Sequence, residues 1–353
     1  MRVGQRIRLI RSASIANSTI IDAPFFEDLN RGEVFHGVGI TILESHAVLH
    51  QTLFGDRMLL PLDRQLSKRV TGDSRGLVHP NVVANIAIGQ STEATQRVKA
   101  NLFYSNFLNK RPVWIGDTLS TTAEVVALRR NRLKPGRKAT GLAVLKISTS
   151  NQRGEEVLSF LRCPMLPCRN GGEESAHDDN IDAHRGEPTS DELRVVCPDN
   201  WDLGALHEQS HGRKFADICA GDEFLINARD TVTQATSLVR ATSNMAWTHL
   251  DAGASHTGRR LVYGGHTISM ACAQVSRALP GMATIVGWQS CDHLAPVFDG
   301  DVLQTRVSVL EAVPIKRGGG LCLLHAETTA SRTGGNAESV SNVLDWRFTV
   351  LTC

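Results

Sequence analysis

The 353-residue chain carries almost no net charge, +2, because Lys and Arg nearly match Asp and Glu. That leaves no bulk electrostatic case for binding nucleic acid or an anionic membrane surface. No apolar run approaches the roughly 20 residues that a membrane span needs. The eight cysteines stand apart, and the closest two, Cys163 and Cys168, lack a zinc-knuckle spacing. They read as reduced thiols of a cytoplasmic protein. Acids are absent from the first twenty residues, which hold four arginines. Residues 1–23 read as a basic tail, although an organellar import signal has the same composition. What is present, 41% hydrophobic and 21% charged residues, belongs to a globular protein long enough for two domains.

Those two domains are legible as a duplication. Residues 26–35 and 215–224 both run F-x-D-apolar-x-x-G-acid-x-F. TILESHAVLHQTLFGDRMLLPLD (41–63) is echoed by TVTQATSLVRATSNMAWTHLD (231–251). GLVHPNVVANIA (76–87) pairs with RLVYGGHTISMA (260–271), and VWIGDTLSTTAEVVAL (113–128) with VFDGDVLQTRVSVLEA (297–312). The blocks keep their order, which coincidence explains poorly. Between the copies, residues 169–193 are polar, acidic and nearly free of large apolar side chains; they read as a linker unable to order itself, with His177 and His184 solvated. The division is therefore a basic tail over 1–23, one unit over 24–168, a linker over 169–204 and a second unit over 205–353.

Each unit has one coarse plan. A first helix carries apolar spacing at Ile42, Val48, Leu49 and Leu53. A more apolar helix follows, over Val82–Ala94 in the first copy and His266–Leu279 in the second. Alternating strands such as GDTLSTTAEVVAL and DVLQTRVSVL come last. A long apolar helix wrapped by an antiparallel sheet is an α+β unit, and two copies would pair their sheets as subunits do.

The chain's chemistry concentrates in residues 244–266, NMAWTHLDAGASHTGRRLVYGGH. His249 follows the polar Asn244 by five residues, and Gly264 and Gly265 open an apolar helix. A histidine moves protons near neutral pH, with an unperturbed pKa of about 6.5. Free N–H groups at a helix start stabilise negative charge on a carbonyl oxygen. Together they suit carbonyl-activated addition or elimination. His46 and His50 stand four apart on one helix face, a zinc-compatible spacing, but without a third ligand motif they read as surface or tunnel-edge residues.

These motifs resemble the MaoC-like hydratases with a double hotdog fold, and within them the mesaconyl-CoA hydratase (β-methylmalyl-CoA dehydratase) branch. The string GRRLVYGGH carries the specific likeness; GDTL is common to hotdog proteins generally. The resemblance spans about residues 24–165 and 205–350. It implies two tandem hotdog repeats, each a long helix wrapped by an antiparallel sheet. It implies an acyl-CoA substrate, reversible addition of water across an α,β-double bond, and no metal or redox cofactor. The family's signature places an Asp and a His five residues apart. In the first copy Asp56 stands, but Pro61 replaces the histidine, which implies a catalytically silent copy. In the second copy His249 stands and Asn244 replaces the acid. His249 is then the general acid/base, with Asn244 holding the attacking water through its carbonyl oxygen. N–H groups at Gly264, Gly265 and His266 form the oxyanion hole. Tyr263, His266 and His293 contact the substrate, the histidines meeting a substrate carboxylate. The basic hairpin with Arg129, Arg130 and Arg132 receives CoA phosphates, with Lys316 and Arg317 in the corresponding turn. A hotdog thioesterase, a non-catalytic acyl-CoA binding protein and a biosynthetic β-hydroxyacyl thioester dehydratase stand as rivals. A homodimer of such chains is a further expectation.

Overall fold

The computed structural model describes residues 21–133, 135–169, 177–316, 318–334 and 337–353. Most of the basic tail, Lys134, Arg317 and linker residues 170–176 lie outside them. The first half runs β1 (Val34–His36), β2 (Ile40–Thr41), α1 (Glu44–Phe54), α2 (Leu59–Leu62), α3 (Arg64–Thr71), α4 (Pro80–Gln90), β3 (Ala100–Asn109), β4 (Thr118–Arg130), β5 (Thr140–Ser150) and β6 (Glu156–Pro167). Helices α5 (Ser190–Val196) and α6 (Leu203–Gln209) follow. The second half repeats the order with β7 (Glu223–Leu225), β8 (Asp230–Thr231), α7 (Ala235–Ala241), α8 (Gly264–Ala278), β9 (Met282–His293), β10 (Val302–Pro314), β11 (Gly320–Gly334) and β12 (Ala337–Thr352).

Among the described residues the strands form one antiparallel sheet ordered β1-β4-β5-β6-β3-β9-β12-β11-β10-β7, with β2 on β4 and β8 on β10. Read from its centre, the order is the same in both directions. The halves join where Phe107 pairs with Trp288 and Leu108 with Gly287. The Phe107 and Trp288 rings stack 3.7 Å apart. A β-carbon on Gly287 would sit 2.7 Å from the Phe107 carbonyl oxygen, so only glycine lets the strands approach here.

All eleven residues of α4 are buried, as are Gly265 to Ser276 of α8. Both are core helices, and their polar side chains are buried with the apolar ones. The GD turns close β4 and β10 as their sequence suggests. Gly116 and Gly300 take positive φ, and the buried Asp117 and Asp301 accept the N–H groups of Trp114 and Phe298.

Two expectations change. Helix α1 buries His50 and Phe54, while Val48 is 63% exposed. Of the expected apolar positions Ile42 is buried and Leu53 packs on the core, so the spacing fails at Val48, and His50 is buried rather than at the surface. The segment after residue 176 is also ordered. Ile181 inserts beside Phe103, Ala127, Leu142, Val144 and Cys163, and Leu193, Trp201, Leu203 and Leu206 join a further apolar cluster. Ile181 covers apolar strand residues of the first half, and the other four share their cluster with Leu66 and Val70 of α3 and with Ala283, Val286, Leu321 and Leu351 of the second half's strands. His177 accepts the Arg130 N–H through its carbonyl oxygen and sets its ring edge-on to Phe26, 6.0 Å away.

Candidate active site

Each half builds the same turn ahead of its central helix. A left-handed residue, Gly55 at φ 57° or Ser243 at φ 52°, ends the preceding helical stretch. The following side chain folds back on its own backbone. Asp56 Oδ1 accepts the Met58 N–H at 2.8 Å, and Asn244 Oδ1 accepts the Ala246 N–H at 2.9 Å. The next N–H then crosses to the other half: Arg57 donates to Ser276 Oγ of α8 at 3.0 Å, and Met245 to Thr92 Oγ1 just beyond α4 at 2.8 Å. Each turn is thus tied to the far end of the other half's central helix or to the turn just past it.

In the second half, His249 ends a short 3-10 turn, Trp247–His249. Its Nδ1 lies 3.1 Å from the Leu261 carbonyl oxygen and donates to it, which leaves Nε2 as the acceptor. Burial pushes the imidazole down to about 4, against the opposing pull of that carbonyl. The unperturbed value expected from sequence is therefore replaced by a ring that is neutral at pH 7. Tyr263 lies beside it, the ring centroids 5.5 Å apart. The Tyr263 hydroxyl donates to the Asn85 carbonyl oxygen at 3.2 Å and is hydrogen-bonded by the Asn244 amide. Asn244 therefore holds the turn and the tyrosine, and its carbonyl oxygen, with one lone pair on the Ala246 N–H, keeps a second.

Gly264 and Gly265 are the first residues of α8, and both are small because other side chains need the space. A β-carbon on Gly264 would run into His293 Nε2, and one on Gly265 into Asn85 Oδ1. His293, at the end of β9, is thereby brought against the helix start and beside His249. Burial, then the neighbouring His249, lower its pKa to about 4, and Nε2 has no hydrogen-bond partner. The oxyanion expectation needs one correction. The His266 N–H already donates to the Tyr263 carbonyl oxygen at 2.8 Å, which leaves the Gly264 and Gly265 N–H groups as first-turn donors. The His266 side chain also turns away from His249. It is fully buried, its ring 4.9 Å from Phe54, and burial lowers it to about 4.

The basic hairpin packs against the connecting segment. Arg129 shares its sheet face with Ala127, on the outer apolar cluster, and sits 3.7 Å from Asp182 of the connecting segment. The Arg130 backbone bonds His177, and Arg132 is exposed in the β4–β5 turn.

Sequence reasoning missed the first half's polar cluster. His79 caps α4, and its Nε2 lies 3.3 Å from Asp56 Oδ2, with both residues buried. His50 stacks on His79 at 4.3 Å. Burial alone would raise the Asp56 carboxyl, but His79 beside it outweighs that and holds it well below the usual carboxylate range. The copy judged silent for want of a histidine at Pro61 thus has one from another element. One ligand atom from each of His50, Asp56 and His79 fits within 4.8 Å, a spacing open to a metal ion. The hydrogen bonding opposes that use: His79 Nδ1 accepts the Asn81 N–H at 3.1 Å, so in the neutral ring Nε2 carries the proton and has no lone pair to give. The aligned blocks VHPN and VYGG placed His79 opposite Tyr263, and that was the available signal.

Two α+β units around paired core helices, with a histidine set against the start of one of them, define a double-hotdog protein with an acid–base site. No family model matches the chain. It is 40% identical to RV0216 of Mycobacterium tuberculosis, a conserved protein essential for bacterial survival during infection that has a double hotdog fold. That match has a TM-score of 0.86 and covers 94% of this chain and 99% of the other. A structure described as a MaoC domain protein dehydratase from Chloroflexus aurantiacus aligns with TM-score 0.78 and 25% identity, over 95% and 99% of the two chains. The β-methylmalyl-CoA dehydratase of Chloroflexus aurantiacus is 29% identical over 93% of this chain and 96% of its own. The mesaconyl-CoA hydratase of Cereibacter sphaeroides is 28% identical over 81% and 83%. The chain belongs to the MaoC-like double-hotdog hydratase and dehydratase family.

Proposed function

We propose that this protein is a hydro-lyase that adds water reversibly across the α,β-double bond of an acyl-CoA thioester, with a mesaconyl-CoA-like substrate at the second-half site. The carrying observation is His249, neutral, oriented by Leu261 so that Nε2 is the acceptor, and beside Tyr263, the residue that precedes α8. The names of the two curated relatives support the thioester class and the reaction.

In this reading His249 Nε2 takes a proton from water as the hydroxyl adds to the β-carbon. Charge developing on the thioester oxygen meets the Gly264 and Gly265 N–H groups, where a fixed dipole acts without reorganising. The imidazolium then returns its proton to the α-carbon. Burial makes that imidazolium a strong acid, which favours the second half of the step. His293, with Nε2 unpartnered, is placed to donate to a substrate carboxylate. Asn244 and Tyr263 position the turn. Arg130 and Arg132 are the proposed CoA phosphate contacts, since Arg129 faces Asp182. The division of labour follows the units 24–168 and 205–353.

The test is loss of enoyl-thioester absorbance with mesaconyl-CoA, wild type against His249→Ala. Loss in the wild type and at least a ~10²-fold slower rate in the variant supports the proposal. Release of free thiol without hydration would make the protein a thioesterase instead.

A further inference from the structure

Among the described residues Arg162 is the one arginine or lysine that is buried, 3% exposed. It lies on β6 directly opposite Tyr104 of β3, so the two side chains share the sheet face toward the core helices, while the next residue, Cys163, joins the outer cluster with Ile181. One guanidinium nitrogen, Nη2, donates to the Ser91 carbonyl oxygen at 2.9 Å and to Thr95 Oγ1 at 2.6 Å. Both acceptors are neutral, and Nε has no partner. The groups whose charge acts on Arg162 are Tyr104, Tyr263 and Cys163, and no described carboxylate is among them. A buried charge normally has a counter-charge, because leaving water costs more than neutral hydrogen bonds return. The Tyr104 hydroxyl, raised well above its usual range by burial, stays protonated and has no hydrogen-bond partner among the described residues. Trp288, edge-on to Tyr104 at 5.9 Å, adds an indole N–H without an acceptor.

The second-half site rests on the same turn as Arg162. Ser91 and Thr95 hold the guanidinium, Thr92 between them accepts the Met245 N–H, and the carbonyl oxygen of the next residue on, Gln96, accepts the Trp247 N–H at 2.8 Å. Tyr263, beside His249, is also near enough for the Arg162 charge to act on its hydroxyl. We propose that Arg162, with Tyr104, is the specificity-determining pair of this site and takes the carboxylate of a dicarboxylic acyl thioester. The proposal rests on the thioester reading above.

A carboxylate supplies what Arg162 and Tyr104 lack, a negative charge and two acceptor oxygens with no proton of their own. An uncharged acyl chain leaves both donors unpaired, and a site with buried unpaired donors rejects the analogue that lacks the acceptor. His293, held neutral by burial, offers a carboxylate a hydrogen bond but no charge. Tyr104 and Arg162 retain 7% and 3% exposure, so neither is sealed from solvent. Arg162 binds and moves no proton; His249 keeps the acid–base role.

The experiment titrates the full chain with succinyl-CoA and butyryl-CoA in a calorimeter. The two esters have acyl chains of equal length, cannot be hydrated, and differ by a carboxylate in place of a methyl group. Wild type should bind succinyl-CoA at least ~10-fold tighter than butyryl-CoA, the usual worth of a hydrogen bond to a charged group. Arg162→Met, close in volume, should lower that affinity ratio at least ~10-fold, and Arg162→Lys, which keeps the charge, should restore part of it. Tyr104→Phe keeps the ring contacts with Phe160 and Trp288 and should lower the ratio at least ~3-fold. A cap of the Ser91–Thr95 turn and nothing more would weaken both esters alike, so an Arg162→Met ratio within twofold of wild type overturns the proposal. A wild type that binds the two esters equally also overturns it. Where Arg162→Met does not fold, a Tyr104→Phe ratio equal to that of wild type does so. A wild type that binds neither ester overturns the thioester reading and this proposal with it. A protein that shows the expected ratios yet hydrates no enoyl thioester supports the carboxylate site and sinks the hydratase reading alone.

Discussion

His249, His266 and His293 share one property that no neighbour in the chain imposes: burial brings each down to about 4. In an unfolded chain they titrate near 6.5. The folded state therefore prefers them neutral, and their contribution to stability is complete above that value. As pH falls from 6.5 toward 4 the unfolded state binds protons first, and the contribution is lost. The melting temperature should decline across that window, and more shallowly in His266→Phe, which fills the same contact with Phe54 and removes one titrating group. Equal slopes in a series of thermal melts would show that His266 protonates as readily folded as unfolded. His249 and Asn244 were visible in sequence because their spacing follows a family signature. The roles of their nitrogens and oxygens were not, since Leu261 and Ala246 decide them.

The start of α8 is where packing is tightest. Gly265 faces Asn85 of α4, whose amide also donates to Ser269 Oγ at 3.0 Å. Gly265→Ala should lower unfolding free energy by about 1–3 kcal/mol in denaturant titration, the usual range for an overpacked core. Adding Asn85→Ala should recover part of that loss, because the two changes share one contact. The core helices and the long strands were legible from periodicity and apolar content. Helix α1 was only half legible: its existence followed from the pattern, but its inward face carries His50 and Phe54 while Val48 meets solvent. The segment over 181–206 was misread for a related reason. Its composition is that of a linker, and its order comes from apolar side chains supplied by other parts of the chain.

Across the whole molecule the halves share the Phe107–Trp288 seam and exchange hydrogen bonds at both site turns. They should unfold together, in one denaturant transition. Trp288→Ala should cost about 3–5 kcal/mol, the range for a large buried aromatic, and should slow mesaconyl-CoA hydration as the turns lose their partner helix. Two separate transitions in the wild type would show that the halves are independent. None of the helices among the described residues is long and apolar enough to cross a membrane.

The sequence by itself determined the duplication, the α+β plan, the two core helices and the stretch that holds His249, because each is written in residues near one another in the chain or in a repeat of them. Tertiary structure alone decided that His79 meets Asp56, that His266 turns to Phe54 in the other half, and that each site turn rests on the far half's helix or the turn just past it. Those contacts join residues far apart in the chain, and the free energy that selects them is burial across two packed halves, which no local pattern records.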